Sequence, residues 1–208
     1  MEDSNKIADF LFEVGMLAKT PRSGFFFLGS GQQSVAEHTT RTIYIGYTLA
    51  KLTPEPKLDL DKVIKMCIFH DLSEARVSDL NYVHQKYTTK KEHEAIKDVT
   101  KTLPFGQEIA DIINEYEARE TLEAKIAKDA DNLEFLISLK EQMDIGNIRA
   151  KSWLPAIEKR LFTKSAQEVA EAIINRDSDQ WWFGDKSDQW WINRNNPAPF
   201  SEKGGVNN

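Results

Sequence analysis

Two histidines and two carboxylates lie at positions from which they could share a metal ion. His38 falls three residues after Val35 on the apolar stripe of one predicted helix, and His70, Asp71 and then Glu74 continue the stripe of the next. A carboxylate buried without a partner is strongly destabilising. This cluster therefore needs either cationic side chains or a metal ion.

A further carboxylate comes from a long predicted helix over residues 119–143. One of its apolar stripes runs through Leu133, and a second face carries Asp131 beside the small residues Ala124 and Ala127. Because a helix buried on two sides can direct either residue inward, the periodicity does not choose between Asp131 and Asp129.

Two imidazoles with two carboxylates form a mixed nitrogen and oxygen set that suits a first-row divalent cation better than calcium. We expect one divalent ion per chain, and its identity stays open among Co, Mn, Mg, Zn, Ni and Fe. Four protein ligands on an octahedral ion would leave two positions for a water and a phosphate oxygen. His84 and His93 lie in polar surroundings and are interpreted as ordinary surface histidines.

Helical periodicity dominates the chain between its Pro- and Gly-rich segments, so the fold class is predicted to be all-α. The expected architecture is a compact helical bundle with the metal site between core helices. Ser34 and Glu37 form a capping-box pattern that predicts a helix to about Leu52, and Asp59 or Asp61 can cap the next. Further helices are predicted over 3–18, 90–101, 106–116, 153–161 and 165–176.

The Phe25–Phe27 run is interpreted as buried loop packing.

Composition excludes several classes of protein. The single cysteine, Cys67, rules out an internal disulfide framework and is expected in the core, and a net charge of -6 disfavours binding to nucleic-acid polymers. The N-terminus has no basic-then-apolar signal, and no apolar run is long enough to cross a bilayer. We expect a cytoplasmic protein without a membrane partner.

The C-terminal part contains a short duplication. The pentapeptide Ser178–Trp182 recurs at 187–191, which favours packing or a subunit contact over ligand stacking. We predict one helical unit over 1–176, with its motifs within 20–135, and a Trp-rich extension over 177–208 that frays from 193. The apolar surface of the extension favours a homodimer.

The ordered set His38, His70-Asp71 and Asp131 resembles the signature of the HD-domain phosphohydrolases. The resemblance covers about 10–142 and is closest to the branch with bacterial 5′-deoxynucleotidase and small eukaryotic and archaeal HD-domain proteins. An Ala-Asp pair followed two positions later by an apolar residue belongs to this pattern. It selects Asp131, and Asp129 is then interpreted as a solvated neighbour.

The resemblance implies roles for these residues. His38, His70, Asp71 and Asp131 would be the metal ligands, and Asp71 and Asp131 would also contact the substrate. Glu74 would act on the attacking water, and the structural alternative is an exposed helix glutamate.

Arg22, in the segment Pro21–Gly24, would clamp the phosphate with its planar guanidinium. The alternative is an ordinary surface-loop arginine.

The segment Asp79-Leu80-Asn81-Tyr82 matches the sugar-binding segment of the family. Asp79 would accept a hydrogen bond from a sugar 3′-hydroxyl, while crowding excludes a 2′-hydroxyl. Asn81 stands where the family has proline, which predicts a less rigid loop, and Phe25 is the candidate replacement for a missing tryptophan.

The sequence thus predicts a metal-dependent phosphohydrolase that releases phosphate from nucleoside 5′-monophosphates, with 2′-deoxyribonucleotides favoured. One alternative is hydrolysis of a nucleoside triphosphate or a phosphodiester, for which Arg41, Lys65 and Arg76 are the other basic residues near the motifs. The non-enzymatic alternative is a helical interaction module.

Overall fold

The computed structural model describes residues 2–184, and all regular elements in this range are helices, which confirms the all-α prediction. A 3-10 turn over Gly15–Ala18 follows the first helix. In chain order the helices are α1 Glu2–Val14, α2 Phe25–Leu28, α3 Val35–Leu52, α4 Leu60–Phe69, α5 Glu74–Val77, α6 Tyr82–Tyr87, α7 Glu92–Thr100, α8 Gly106–Ala118, α9 Leu122–Asp144, α10 Ile148–Glu158, α11 Lys164–Ile174 and α12 Gln180–Phe183.

Side-chain caps fix the start of α3, which carries His38, and of α4, which ends beside His70. The Ser34 hydroxyl accepts from the Glu37 backbone N–H at 3.2 Å, and the Glu37 carboxylate accepts from the Ser34 N–H at 2.7 Å. The capping box is therefore confirmed. Asp59, rather than Asp61, caps α4 by accepting from the Lys62 N–H at 3.0 Å.

Helix α9 runs through the centre of the bundle and packs against α3, α4, α8, α10 and α11. Asn132, Leu133 and Glu134 are buried at three successive positions on it, which confirms that this helix is covered on more than one side. Gly46 lets α3 approach α4 closely, because a Cβ atom there would lie only 2.5 Å from the Cys67 sulfur. Cys67 itself is buried in this core, as predicted.

A second apolar cluster determines how the His70–Glu74 segment leaves α4. The helix ends at Phe69, with His70 as its C-cap, and Glu74 begins the short helix α5. Leu72 lies within the turn and is buried with Ile96 and Val99 of α7. The expectation of one continuous stripe through Glu74 was therefore wrong, because burial of Leu72 bends the chain away from the axis of α4.

The Phe25–Phe27 run does not pack as expected. Phe25 and Leu28 point inward from α2, but Phe26 and Phe27 are 63% and 43% exposed. A single helical turn explains the difference, because residues three apart share a face while those between them point away.

The C-terminal segment is described only in part. The Ser178 N–H donates to the Asp144 carboxylate at 2.8 Å, and Trp181 and Trp182 are exposed. The second pentapeptide at 187–191 and the segment from 193 lie outside the described residues, and the domain boundary at 176 stays a prediction.

Over 2–184, no helix combines the length and apolar character needed to span a membrane.

Candidate active site

Four side chains from three parts of the fold converge on one point. His38 of α3 and His70 at the end of α4 face each other through their Nε2 atoms at 3.2 Å. An Asp71 oxygen lies 3.5 Å from His38 Nε2 and 3.3 Å from His70 Nε2, and an Asp131 oxygen from α9 lies 3.2 Å from His38 Nε2. The structure therefore brings His38, His70 and Asp71 together as a group that could hold a metal ion, and it places Asp131 beside His38.

Hydrogen bonds on the far sides of the two imidazoles determine what faces this point. His70 Nδ1 lies 3.0 Å from the Cys67 carbonyl oxygen, and His38 Nδ1 lies 2.6 Å from a Glu134 carboxylate oxygen. Because these oxygens accept, each Nδ1 donates, so a neutral ring would direct its Nε2 lone pair inward.

The chemistry of this donor set fits a divalent cation. Two imidazole nitrogens and two carboxylates face one another here, and only a proton or a metal cation between them can hold such acceptors together. Burial and the charge of Arg22 would lower the pKa of His38, but hydrogen bonds to Asp131 and Glu134 raise it to about 9. The site thus attracts positive charge, and His38, His70 and Asp71 form a group that could hold a metal, with Asp131 beside His38.

Asp131 and Asp129 have different environments. The second Asp131 oxygen accepts from Lys128 Nζ at 2.7 Å and from the Tyr116 hydroxyl at 3.3 Å, so Asp131 belongs to the site. Asp129 is fully buried on the other side of α9 and accepts from the N–H and hydroxyl of Thr163 at the start of α11. The interpretation of Asp129 as a solvated neighbour was wrong, because the 162–163 backbone supplies donors that a helical pattern does not reveal.

Glu134 is a site residue that sequence reasoning missed. Its side chain is fully buried behind His38 and also accepts from Gln33 Nε2 at 2.6 Å and Arg41 Nε at 2.8 Å. Burial would raise the pKa of Glu134, but His38 and Arg41 outweigh it and lower the pKa to about 2. The sequence did hold one signal for Glu134. It lies three residues after Asp131 on a helix that is buried on two sides.

Glu74 is buried at the wall of the cleft and is not an exposed helix residue. Lys90 Nζ lies 3.5 Å from its Oε1 atom, while Oε2 has no hydrogen-bond partner in the described part of the chain. Burial, followed by the charges of Asp71 and Asp79, raises the pKa of Glu74 to about 9. A cation bound beside it would lower that value again.

Arg22 and Asp79 join two loops at the cleft. Arg22 Nη1 donates to Asp71 at 3.3 Å, and its Nε lies 3.9 Å from Asp79. The Asp79 carboxylate accepts from the Ser23 N–H at 2.8 Å, and the Asp79 carbonyl oxygen accepts from the Ser23 hydroxyl at 2.6 Å. Burial would lower the pKa of Arg22, but Asp71 and Asp79 raise it above its ordinary value.

The rest of the predicted sugar-binding segment, residues 80–82, lines the same cleft of about 390 Å³, as does Phe25. The Asn81 side chain accepts from the N–H groups of Val83 and His84 and so caps α6. These bonds fix the start of α6, so the structure does not support the expectation that Asn81 loosens the loop. The lining residues of this segment are Leu80, Asn81 and Tyr82.

Three cations at the cleft were not anticipated. Lys90, Lys128 and Arg160 all line it, and Arg160 Nη1 donates to the Tyr82 hydroxyl at 2.9 Å. Lys90 and Arg160 come from segments away from the motifs, and residue spacing in the sequence does not connect them to the cleft. Lys128, in contrast, lies one helical turn before Asp131.

The basic residues considered from the sequence lie elsewhere. Arg41 binds Glu134 and Glu141, Lys65 binds Glu108, and Arg76 binds Glu13. His93 lies exposed at the rim of the cleft, and His84 lies beside Asn81.

The fold and the composition of the site define a metal-dependent hydrolase. More particularly, the chain belongs to the HD domain family, whose model matches residues 14–173. That match and the relatives described below confirm the resemblance found in the sequence.

Curated relatives carry a more specific name. The 5′-deoxynucleotidase HDDC2 of Dictyostelium discoideum is 34% identical over 144 residues, covering 64% of this chain and 75% of the relative. The 5′-deoxynucleotidase HDDC2 of Mus musculus is 29% identical over 144 residues, covering 66% and 70%. Among solved structures, a conserved hypothetical protein from Pyrococcus furiosus is 30% identical with a TM-score of 0.69, covering 80% of this chain and 98% of that one.

The raised pKa of Glu74 predicts how the stability of the metal-free protein depends on pH. A carboxyl group whose pKa is higher in the folded state destabilises the fold once pH exceeds its unfolded value. The effect therefore grows from about pH 4.5 towards the folded pKa of about 9. Glu74→Gln should raise the melting temperature of the metal-free protein at pH 8 and change it much less at pH 5. Thermal unfolding in a chelator at both pH values measures this, and a lower melting temperature for the variant at pH 8 would contradict it.

Proposed function

We propose that the protein hydrolyses the 5′-phosphate ester of nucleoside monophosphates, with 2′-deoxyribonucleotides preferred. The observation that carries the proposal is one cleft lined by His70, Asp71 and Asp131 together with Glu74 and Arg22. His38 lies buried behind these donors, with its Nε2 atom 3.2 Å from His70 and from Asp131. The cleft volume of about 390 Å³ lies within the range of about 300–1,000 Å³ typical of small-molecule sites. The name shared by the curated relatives supports the same activity.

The metal-binding residues and Arg22 would prepare the phosphate. A divalent ion held by the predicted ligand set supplies a Lewis acid for a phosphate oxygen and lowers the pKa of a bound water. Lys128 and Tyr116 hold one Asp131 oxygen by hydrogen bonds, which leaves the other to face His38. Arg22 is held by Asp71, and its remaining N–H groups can donate to the phosphate.

Glu74 is the group best situated to take the proton of the attacking water. Its Oε2 atom is buried and without a hydrogen-bond partner among residues 2–184, so a water molecule in the cleft could donate to it. The burial that raises the pKa of Glu74 also makes the carboxylate a stronger base than an exposed one.

The sugar would contact the segment that begins at Asp79. One oxygen of that carboxylate is held by the Ser23 N–H, which keeps the segment beside Arg22. Acceptance of a 3′-hydroxyl hydrogen bond by Asp79 and exclusion of a 2′-hydroxyl remain part of the proposal. Phe25, three residues from Arg22, offers an apolar wall for the nucleoside.

The charges of the cleft favour a substrate with one phosphate. Lys128 pairs with Asp131, and Lys90 pairs with Glu74 and Glu92, so two of the cations are already balanced by carboxylates. A triphosphate would bring additional negative charge to the same cleft. The non-enzymatic alternative is set aside, because membership of the family makes this chain a hydrolase.

We predict that the protein releases phosphate from deoxynucleoside 5′-monophosphates when loaded with Co²⁺, Mn²⁺, Mg²⁺ or Zn²⁺, measured on a panel of nucleotides. Glu74→Gln should lower kcat by about 10²–10⁴ because general base catalysis is lost. It should nevertheless retain metal, whereas the control His70→Ala should lose it. Metal analysis with kinetics separates the two, and full activity of Glu74→Gln would exclude its role as the base.

Sugar selectivity provides a separate prediction. We expect dAMP to exceed AMP in kcat/KM by tenfold or more, which corresponds to about 1.4 kcal/mol of transition-state binding. Asp79→Ala should lower kcat/KM for both and shrink their ratio. The matched control is Ser23→Ala, which removes a hydroxyl bond between the same two loops and leaves the Asp79 carboxylate in place. Equal kcat/KM for dAMP and AMP in the wild type would remove the 2′-exclusion argument.

We further propose a cytoplasmic homodimer whose partners include neither nucleic-acid polymers nor membranes. Apolar surface supports association, since Phe12 and Trp181 are each 81% exposed and Leu11 is 63% exposed. Light scattering at micromolar concentration should give twice the mass of one chain. A single species with the mass of one chain would contradict the dimer without affecting the proposed chemistry.

A further inference from the structure

Glu134 divides its two carboxylate oxygens between different partners. Oε1 lies 2.8 Å from Arg41 Nε, 2.7 Å from Arg41 Nη2 and 2.6 Å from Gln33 Nε2, and it also accepts from the Ser138 hydroxyl at 3.2 Å. Oε2 lies 2.6 Å from His38 Nδ1. An arginine and a carboxylate often pair side by side through both oxygens. Here both Arg41 nitrogens contact Oε1, so Oε2 is directed at the histidine.

This arrangement determines which nitrogen of His38 can bind a metal. A neutral imidazole carries one proton, and without an acceptor behind the ring that proton can occupy either nitrogen. If it occupied Nε2, the lone pair facing His70 and Asp131 would be lost. Because His38 and Glu134 are fully buried, water cannot replace the acceptor at Oε2.

The two histidines of the site are supported differently. Behind His70 lies the Cys67 carbonyl, a neutral acceptor, at 3.0 Å, whereas behind His38 lies a carboxylate at 2.6 Å. A charged acceptor holds the ring more strongly and makes the opposite nitrogen a better electron donor.

We propose that Glu134 is a positioning residue that holds His38 in its metal-binding tautomer and thereby sets the metal affinity of the site. Such carboxylates behind a histidine ligand commonly change metal affinity by about 10- to 100-fold. The inference rests on the proposed metal site, but it assigns to Glu134 a role that neither the motif nor the cleft suggests.

The experiment measures the dissociation constant of Mn²⁺ by competition with a chromogenic chelator, using the whole chain. Glu134→Gln keeps the size of the side chain and removes its charge, and it should weaken Mn²⁺ binding by about 10- to 100-fold. Glu134→Asp keeps the charge for Arg41 but shortens the side chain away from His38, so it should also weaken binding. Thermal unfolding of the metal-free variants verifies that they are folded.

The matched control is Glu141→Gln. Glu141 binds the same Arg41 guanidinium at 2.6 Å through Nη1 but is half-exposed and makes no contact with His38. If Glu134 acts through the histidine, this variant should bind Mn²⁺ within twofold of the wild type. At saturating Mn²⁺, the KM of Glu134→Gln for dAMP should also stay within twofold, because Glu134 does not line the cleft.

Two results would overturn the proposal. The first is a Glu134→Gln protein that binds Mn²⁺ within twofold of the wild type. The second is equal weakening in Glu134→Gln and Glu141→Gln, which would assign the effect to Arg41 and the stability of its network. A wild-type protein that binds no Mn²⁺ would instead refute the metal site on which the proposed function depends.

Discussion

Two imidazoles and two carboxylates at the centre of the bundle need positive charge between them, and the remaining structure depends on this constraint. The Nε2 atom of His38 lies 3.2–3.5 Å from atoms of His70, Asp71 and Asp131, and these three residues line the cleft. Neighbouring groups hold this arrangement in place from outside. Lys128 and Tyr116 bind the outer oxygen of Asp131, and Arg22 donates to the same Asp71 oxygen that faces the histidines. Acceptors bind the outer imidazole nitrogens.

Helix α9 shows how a single element can meet that constraint from several directions. Asp131 faces the centre, Lys128 lies one turn earlier beside it, and Glu134 lies one turn later behind His38. On the opposite side, Asp129 holds the start of α11. A helix exposed to solvent on one face could not do this, because half of its positions would contact water.

Much of the fold could be predicted because local signals agree with burial. The Ser34 cap, the Asp59 cap and the apolar periodicity of the long helices each depend on residues close in the chain. The ligand set could be selected because a family pattern supplied the long-range link that periodicity lacks. The family model and the curated relatives then confirmed the membership of that family, while the ligand set itself stays a prediction.

The failures have a common physical origin. Short helices such as α2, α5 and α6 are stabilised by tertiary contacts and lack a long periodic pattern, so the sequence did not reveal them. Lys90 and Arg160 reach the cleft from segments that only folding brings near. Asp129 was misassigned because its donors belong to a backbone segment more than thirty residues away.

The central helix has an implication for how the sequence can change over evolution. Each residue of an α-helix turns its side chain by about 100°, so one inserted residue between Ala124 and Lys128 would rotate every later position by that angle. Asp131 would leave the site, Glu134 would leave His38, and Asp129 would leave α11, all in one event. Insertions and deletions should therefore be excluded from this stretch of α9 even where substitutions are tolerated, and length variation should accumulate in the connecting loops.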